Sequence, residues 1–230
     1  MTPEQLQRRL RAHAIWFEAR DEGERLELRS VDLRGVDLSG CKLMECVLED
    51  VDLSGARLAD AGLDRASLRR VLLRGADLTA ATLTDAELSA IDLTDAGLGH
   101  AHLDAVRATD VRLERATLTS ATLVKAHFTA SSFQSAALSQ ANCVRLQLAR
   151  CNLQGADLER ADFSHARLID VDLRFSRLSG ANFTHTRLQQ ARLFGTQGAP
   201  ALTTGLVAEA ADSSEHADGS RLFDGNPWQT

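Results

Sequence analysis

Residues 31–40 read VDLRGVDLSG, and this five-residue unit decides the fold. Close copies of it are VDLSG at 51–55, ADLTA at 76–80, ADLER at 156–160 and ANFTH at 181–185. The central apolar residue recurs every five residues from Leu28 to Leu193 without an insertion or deletion, which gives 34 positions. Leu fills 28 of them and Phe fills four, and the exceptions Ala108 and Cys143 are also apolar. A period of five therefore governs residues 26–195.

A second series lies two residues before each central residue and is mostly Ala or Val. On an α-helix, leucines spaced by five would spiral around the axis, and on a flat strand they would alternate between the two faces. One geometry satisfies every position: the chain turns a corner about every five residues and points both series inward. The coils would then stack about 4.8 Å apart, with backbone groups paired between neighbouring coils.

These units closely resemble the pentapeptide-repeat family over residues 26–195. The resemblance implies an all-β solenoid, namely a right-handed quadrilateral β-helix in which four pentapeptides form one square coil. The chain would then contain about 8.5 coils in a rod about 41 Å long. The family's members are scaffolds rather than enzymes, so the resemblance also implies binding to another protein.

Composition limits the other function classes. The chain has a net charge of −6, and only 4% of its residues are aromatic. An acidic balance argues against direct nucleic-acid binding. No apolar run reaches the roughly 18 residues that a membrane span needs, and the N-terminus has no apolar signal region. We therefore expect a cytoplasmic protein that does not contact a membrane.

The cysteines fall within the repeat rather than in a metal-binding pattern. Cys41, Cys46 and Cys151 occupy the small inward position, and Cys143 occupies a leucine position. Their spacing matches no zinc motif. We expect four buried thiols that pack as small apolar side chains.

Residues 1–25 are predicted to form an N-terminal amphipathic capping helix. Thr2, Pro3 and Gln5 have the pattern of an N-cap, a first-turn proline and a capping-box partner. The apolar face would consist of Leu6, Leu10, Ala14 and Phe17. The same helix could instead bind a partner or form a dimer.

Residues 196–230 lose the leucine series and are predicted to form a C-terminal cap segment and a flexible tail. Residues 200–211 predict a short helix that covers the last coil through Leu202, Leu206 and Val207. Two interpretations of the tail stay open: it folds back on the solenoid, or it forms a docking motif. The residues concerned are Leu222, Phe223 and Trp228.

No motif in the sequence indicates catalysis or a cofactor. GxSxG, HExxH, P-loop and GxGxxG patterns are absent from the sequence. His100 and His102 are close in sequence but occupy outward repeat positions. A regular convex rod offers no deep pocket, so we expect no enzymatic activity, no cofactor, no metal and no small-molecule substrate.

Outward residues 20 positions apart should stack in columns from coil to coil. Two neighbouring columns are basic and would form a ridge, while residues 76–105 contain no Lys or Arg and would form an acidic girdle. We predict that both surfaces bind protein, although the charges could also be merely tolerated. The ridge columns are Lys125, Arg145, His165 and His185, and Arg107, His127, Gln147, Arg167 and Arg187. The girdle consists of Asp77, Asp85, Glu87, Asp92, Asp95 and Asp104.

The favoured function is a scaffold or adaptor that binds another protein through the faces or ends of the rod. The N-terminal pattern looks like that of bacterial pentapeptide-repeat proteins, some of which occur beside contractile secretion machinery, so a secretion-system component is one candidate partner. A homodimer through an end cap and a secreted effector are weaker alternatives.

The main alternative is topoisomerase protection. Some members of the family mimic duplex DNA and bind gyrase, which protects it from fluoroquinolones. The repeat region here holds 22 acidic and 20 basic residues, whereas a DNA mimic should present extended negative charge. Loops interrupt the repeat in many resistance proteins, whereas no loop interrupts it here.

Overall fold

A computed structural model describes residues 1–209, and these form one helix followed by a parallel β-solenoid. Ten strands pair in chain order, each with the strand 20 residues later, as in Leu28↔Leu48 and Leu168↔Leu188. The strands are β1 Glu27–Arg29, β2 Val47–Glu49, β3 Ser67–Arg69, β4 Glu87–Asp92, β5 Arg107–Arg112, β6 His127–Thr129, β7 Gln147–Ala149, β8 Arg167–Ile169, β9 Arg187–Gln189 and β10 Val207–Glu209.

The remaining three sides of each coil are joined by single bridges with the same offset. Examples are Asp32↔Asp52, Asp37↔Arg57 and Lys42↔Gly62. Both inward series pack into one continuous core, in which Val31, Val36 and Cys41 of the first coil are only half-buried. The prediction of a right-handed quadrilateral β-helix is therefore confirmed.

The corners depend on a repeated left-handed residue. Every fifth residue from Ser30 to Gly195 has a positive φ between 50° and 72°, and 27 of these residues are not glycine. At three corners of each coil a backbone bond closes the turn, as from the Ala56 N–H to the Leu53 carbonyl at 3.0 Å. Among residues 1–209, no such bond closes the corner that follows β1 to β9. That corner is therefore open.

The open corner explains where the larger inward residues occur. The residue that follows it is β-branched and aliphatic in six coils, whereas Ala predominates after the closed corners. An unclosed turn leaves space for a branched side chain, and branched residues suit extended backbone. The six residues are Val31, Val51, Val71, Ile91, Val111 and Val171.

Helix α1 (Pro3–Glu18) lies against the first coil. The capping box predicted from Thr2 and Gln5 is formed, with Pro3 in the first turn. Leu6 joins the core, and Glu18 Oε1 accepts from Lys42 Nζ at 2.7 Å. Within residues 1–209, no helix has the length and apolar character that a membrane crossing requires.

The buried face of α1 differs from the predicted face. His13 is fully buried, while Ala14 is only half-buried. His13 Nδ1 accepts a hydrogen bond from the Leu26 N–H at 3.0 Å, which fixes the helix to the start of β1. Sequence patterning missed this residue because histidine was counted as polar, although a neutral imidazole can be buried once it is hydrogen-bonded.

The predicted helix at 200–211 is wrong over its described part. Leu202 bridges Asn182, and β10 pairs with β9 through Val207↔Arg187, so the coil continues to residue 209. The exposed backbone of the preceding coil offers pairing to any residue that keeps the register, even where the leucine series has ended. Leu222, Phe223 and Trp228 lie outside the described residues.

Candidate protein-binding surfaces

The basic ridge occupies one edge of the rod, where two columns run side by side. One column follows a corner, through Lys125, Arg145, His165 and His185, which all have positive φ. The other follows β5 to β9, whose pairing places Arg107, His127, Gln147, Arg167 and Arg187 in register. All these side chains are exposed. A single buried residue separates the columns within each coil, so the structure brings the predicted ridge together.

The ridge carries charge that residues 1–209 do not neutralise. Lys125, Arg145, Arg167 and Arg187 form no ion pair with any residue in that range. Arg107 is the exception, with its Nη1 3.9 Å from Glu87 Oε1. Two unit charges 4 Å apart in water interact by about 1 kcal/mol, so stacked cations repel weakly and remain available to an anion.

The two histidines of the corner column stack on each other. The rings of His165 and His185 have centroids 5.0 Å apart and planes at 30°. The next position in the column is Gly205, where an added Cβ would lie 2.2 Å from His185 Nδ1. Glycine at this position therefore leaves room for the imidazole of His185.

Arginines from neighbouring coils neutralise part of the acidic girdle. Asp92 is buried, and its Oδ2 accepts from Arg74 Nε at 2.6 Å. Arg115 forms two hydrogen bonds of 2.7 Å to Asp95. Together with Glu87, three of the six carboxylates therefore face an arginine. Sequence reasoning missed these pairs because the arginines lie 18–20 residues away, just outside the span 76–105.

The other girdle carboxylates cap backbone groups or face solvent. Asp77 Oδ1 accepts from the Thr79 N–H at 3.0 Å, and Asp104 Oδ1 accepts from the Val124 N–H at 2.7 Å. The carboxylate of Asp85 has no partner among residues 1–209, and the residue lies at a corner with φ of 59°. The six residues lie on different sides of the coils, so the structure does not bring them into one patch.

Hydrogen bonds set the ionisation of Asp92. Burial alone would raise the pKa of Asp92, but hydrogen bonds from Thr94 and Arg74 outweigh that effect and hold the pKa below its usual value. The pair therefore stabilises the fold while Asp92 is ionised, and it leaves Arg74 without a free charge.

The four cysteines are free thiols. Cys46, Cys143 and Cys151 are buried, and burial raises the pKa of Cys46 to about 12 and that of Cys151 to about 11. Cys41 is only half-buried, which corrects the expectation of four buried thiols. Its position in the first coil explains this, because no coil precedes it.

The sequence pattern did not predict an exposed aromatic pair, Phe175 and Phe194. Phe175 is 48% exposed at a corner with φ of +60°, and its ring meets Phe194 edge-on, with centroids 5.6 Å apart. Left-handed backbone is unfavourable for a bulky residue, so folding alone does not explain this choice. The available signal was a Phe at the fifth repeat position, which elsewhere is small or polar.

Comparison with known proteins supports the repeat. The family model for pentapeptide repeats matches the chain in eight copies, over residues 27–60, 59–98, 96–134, 141–174 and 161–196. A search of curated proteins finds no match.

Several solved structures are similar to this chain. HetL, a pentapeptide repeat protein of the cyanobacterium Nostoc sp. strain PCC 7120 involved in heterocyst differentiation regulation, is 24% identical over 90% of this chain and 96% of its own, with a TM-score of 0.45. Full-length QnrB1, a plasmid-mediated fluoroquinolone resistance protein, is 19% identical over 82% and 91%, with a TM-score of 0.41. A thylakoid-lumen protein of Arabidopsis thaliana is 28% identical over 45% and 66%, with a TM-score of 0.29.

Proposed function

Because this chain belongs to the pentapeptide-repeat family, we propose that it is a non-enzymatic scaffold that binds another protein through an outward face of its rod. The observation that carries the proposal is the basic ridge, whose cations stack in two columns without carboxylates between them. A carboxylate-rich segment of a partner protein complements this surface in charge.

Charge balance favours a protein partner over a nucleic acid. The whole chain has a net charge of −6, which disfavours binding of a long polyanion that extends beyond the ridge. A short acidic segment of a protein needs only the ridge itself. Columns at a coil spacing of about 4.8 Å also present cations at intervals that acidic side chains on a peptide can follow.

A charge-reversal experiment tests the ridge. We expect the triple variant Lys125→Glu, Arg145→Glu and Arg167→Glu to bind a labelled 20-residue poly-glutamate about ten-fold or more weakly than the parent chain, measured by fluorescence anisotropy in 50 mM salt. Thermal unfolding checks that the variant is folded. An oligo-dT of equal charge serves as the nucleic-acid probe and should bind more weakly than poly-glutamate.

A matched control separates the ridge from net charge. The variant Arg112→Glu, Arg150→Glu and Arg160→Glu changes the net charge equally, and its three arginines are exposed and lie off the ridge. It should retain poly-glutamate binding within about three-fold, since only diffuse electrostatics change. Equal losses in the two triple variants would remove the ridge from the proposal.

Topoisomerase protection has less support from the described surface. The uninterrupted rod has a shape compatible with DNA mimicry, but Glu87, Asp92 and Asp95 all face arginines. A gyrase supercoiling assay with micromolar protein distinguishes the two functions. Inhibition of supercoiling, or relief from a fluoroquinolone, would favour this alternative over the scaffold.

A further inference from the structure

The helix α1 covers the first coil only in part. Leu33 and Leu38 are buried beneath it, but Val31, Val36 and Cys41 remain half-buried. The equivalent residues one coil later are buried, because a full coil precedes them. Three sides of the first coil therefore present a rim that is apolar inside and exposed at its N-terminal edge.

The backbone along this rim has unused hydrogen-bonding groups. In the second coil, the Asp52 N–H donates to the Val31 carbonyl at 3.0 Å, and the Arg57 N–H donates to the Val36 carbonyl at 2.9 Å. The equivalent N–H groups in the first coil belong to Asp32 and Asp37, and they have no acceptor among residues 1–209. An unpaired row of this kind is a template for another strand.

A groove of about 800 Å³ lies between α1 and this rim. Val31 and Ala12 contribute apolar surface to it, while its charged residues are the cations Arg8 and Arg9 and one carboxylate, Glu24. Arg9 donates to the Glu27 carbonyl, whereas Arg8 has no ion pair among residues 1–209. The volume is in the range of ligand-binding clefts in proteins.

We propose that the rim and groove bind a short extended segment of a partner protein, one that carries carboxylates. The segment would add to the open rim in an extended conformation and pair with one residue on each side, as the second coil does at Asp32↔Asp52 and Asp37↔Arg57. Alternate side chains point in opposite directions, so one apolar side chain enters the groove and the acidic ones face Arg8. Unpaired N–H groups on the rim favour a peptide over a small anion, since a peptide backbone satisfies them in register.

This site is independent of the ridge, which lies along later coils. The probe is a fluorescein-labelled peptide of six alternating valines and aspartates, titrated into the full chain and followed by anisotropy. We expect saturable binding that falls at least ten-fold when alternate amides of the peptide are N-methylated, because the methyl groups block pairing and leave the charge unchanged. We expect the same loss in Arg8→Glu and no change in the ridge triple variant.

Several outcomes overturn the proposal. Binding that survives N-methylation means that the rim backbone is not used, and no binding at 1 mM peptide means that the rim is closed to strands. If a synthetic peptide of residues 210–230 competes more strongly than the probe, the chain's own segment is the occupant. If light scattering shows a dimer that the probe separates, the occupant is a second copy.

Discussion

The rod uses the same 20-residue spacing in two opposite ways. In the first half of the chain, three arginines on different sides of the rod, here called the arginine ladder, each follow a carboxylate by one coil: Arg57, Arg70 and Arg115, with N–O distances of 2.6, 2.5 and 2.7 Å. On the basic ridge, Arg187 follows Arg167 and His185 follows His165, so like residues stack. The fold fixes the distance in both regions. The residue one coil away therefore decides whether a charge is neutralised within the rod or stays exposed to solvent.

The largest effect should come from breaking the Arg74–Asp92 pair, in which the carboxylate is buried. Arg74→Ala leaves the buried carboxylate of Asp92 without its guanidinium, and we expect a loss of about 1–3 kcal/mol, reduced from the fully buried case because Arg74 is half-exposed. Urea unfolding measures the loss. Arg112→Ala, an exposed arginine without an ion pair on the same side of the rod, should change stability far less. Equal losses would mean that the pairing itself is not stabilising.

Acid should weaken the ladder and leave the ridge cations charged. In the ladder, Arg115 lowers the pKa of Asp95, and outside it Arg34, two residues further along the chain, lowers the pKa of Asp32 to about 2. Folded pKa values below the unfolded ones mean that these contributions are complete above about pH 4 and are lost as the pH falls toward 2. We expect Tm to fall over that range, and to fall less steeply in Asp95→Asn. An unchanged slope in that variant would contradict the assignment.

The substitution Asp95→Asn should also change the surface, because it turns a neutralised arginine into an unpaired one like those of the ridge. Asp95→Asn releases Arg115, so we expect two- to three-fold tighter poly-glutamate binding with little change in Tm, as is usual for exposed pairs. Asp85→Asn is the matched control, because it removes the same charge without releasing an arginine. If both variants gain equally, net charge rather than the released arginine explains the result.

The smallest effect is expected on the ridge itself. Arg187→Gln removes one of two stacked cations, and we expect stability to change by less than about 0.5 kcal/mol, with a slight gain from reduced repulsion. Chemical denaturation against the parent chain measures the difference. A loss above 1 kcal/mol would show that Arg187 supports the fold rather than a binding surface.

The repeat made the fold and the ridge predictable from sequence. A period of five without a gap defines the inward series, and a 20-residue offset follows once four units form a coil. That offset predicts that Arg145 stacks on Lys125 and that Arg187 stacks on Arg167. The capping box at Thr2 and Gln5 was predictable because its donors and acceptors are local.

The errors concern interactions that a local pattern does not contain. The girdle prediction overlooked Arg74 and Arg115. In a solenoid, every stretch of sequence also contacts the coils before and after it, and these two arginines lie in those coils. The helix at 200–211 was favoured by local composition, but pairing with the preceding coil determined its structure. His13 was missed because its burial depends on one backbone donor, the Leu26 N–H.

The corner conformations have a consequence for how such a surface changes. Of the left-handed corner residues between Ser30 and Gly195, 27 are not glycine, and they include acids, bases and a phenylalanine. The backbone thus tolerates nearly any side chain at these outward positions, and each coil places its side chains about 4.8 Å from those of the next coil. Duplicating a 20-residue unit would therefore add one coil and extend each exposed column by one residue, without any change in the buried side chains.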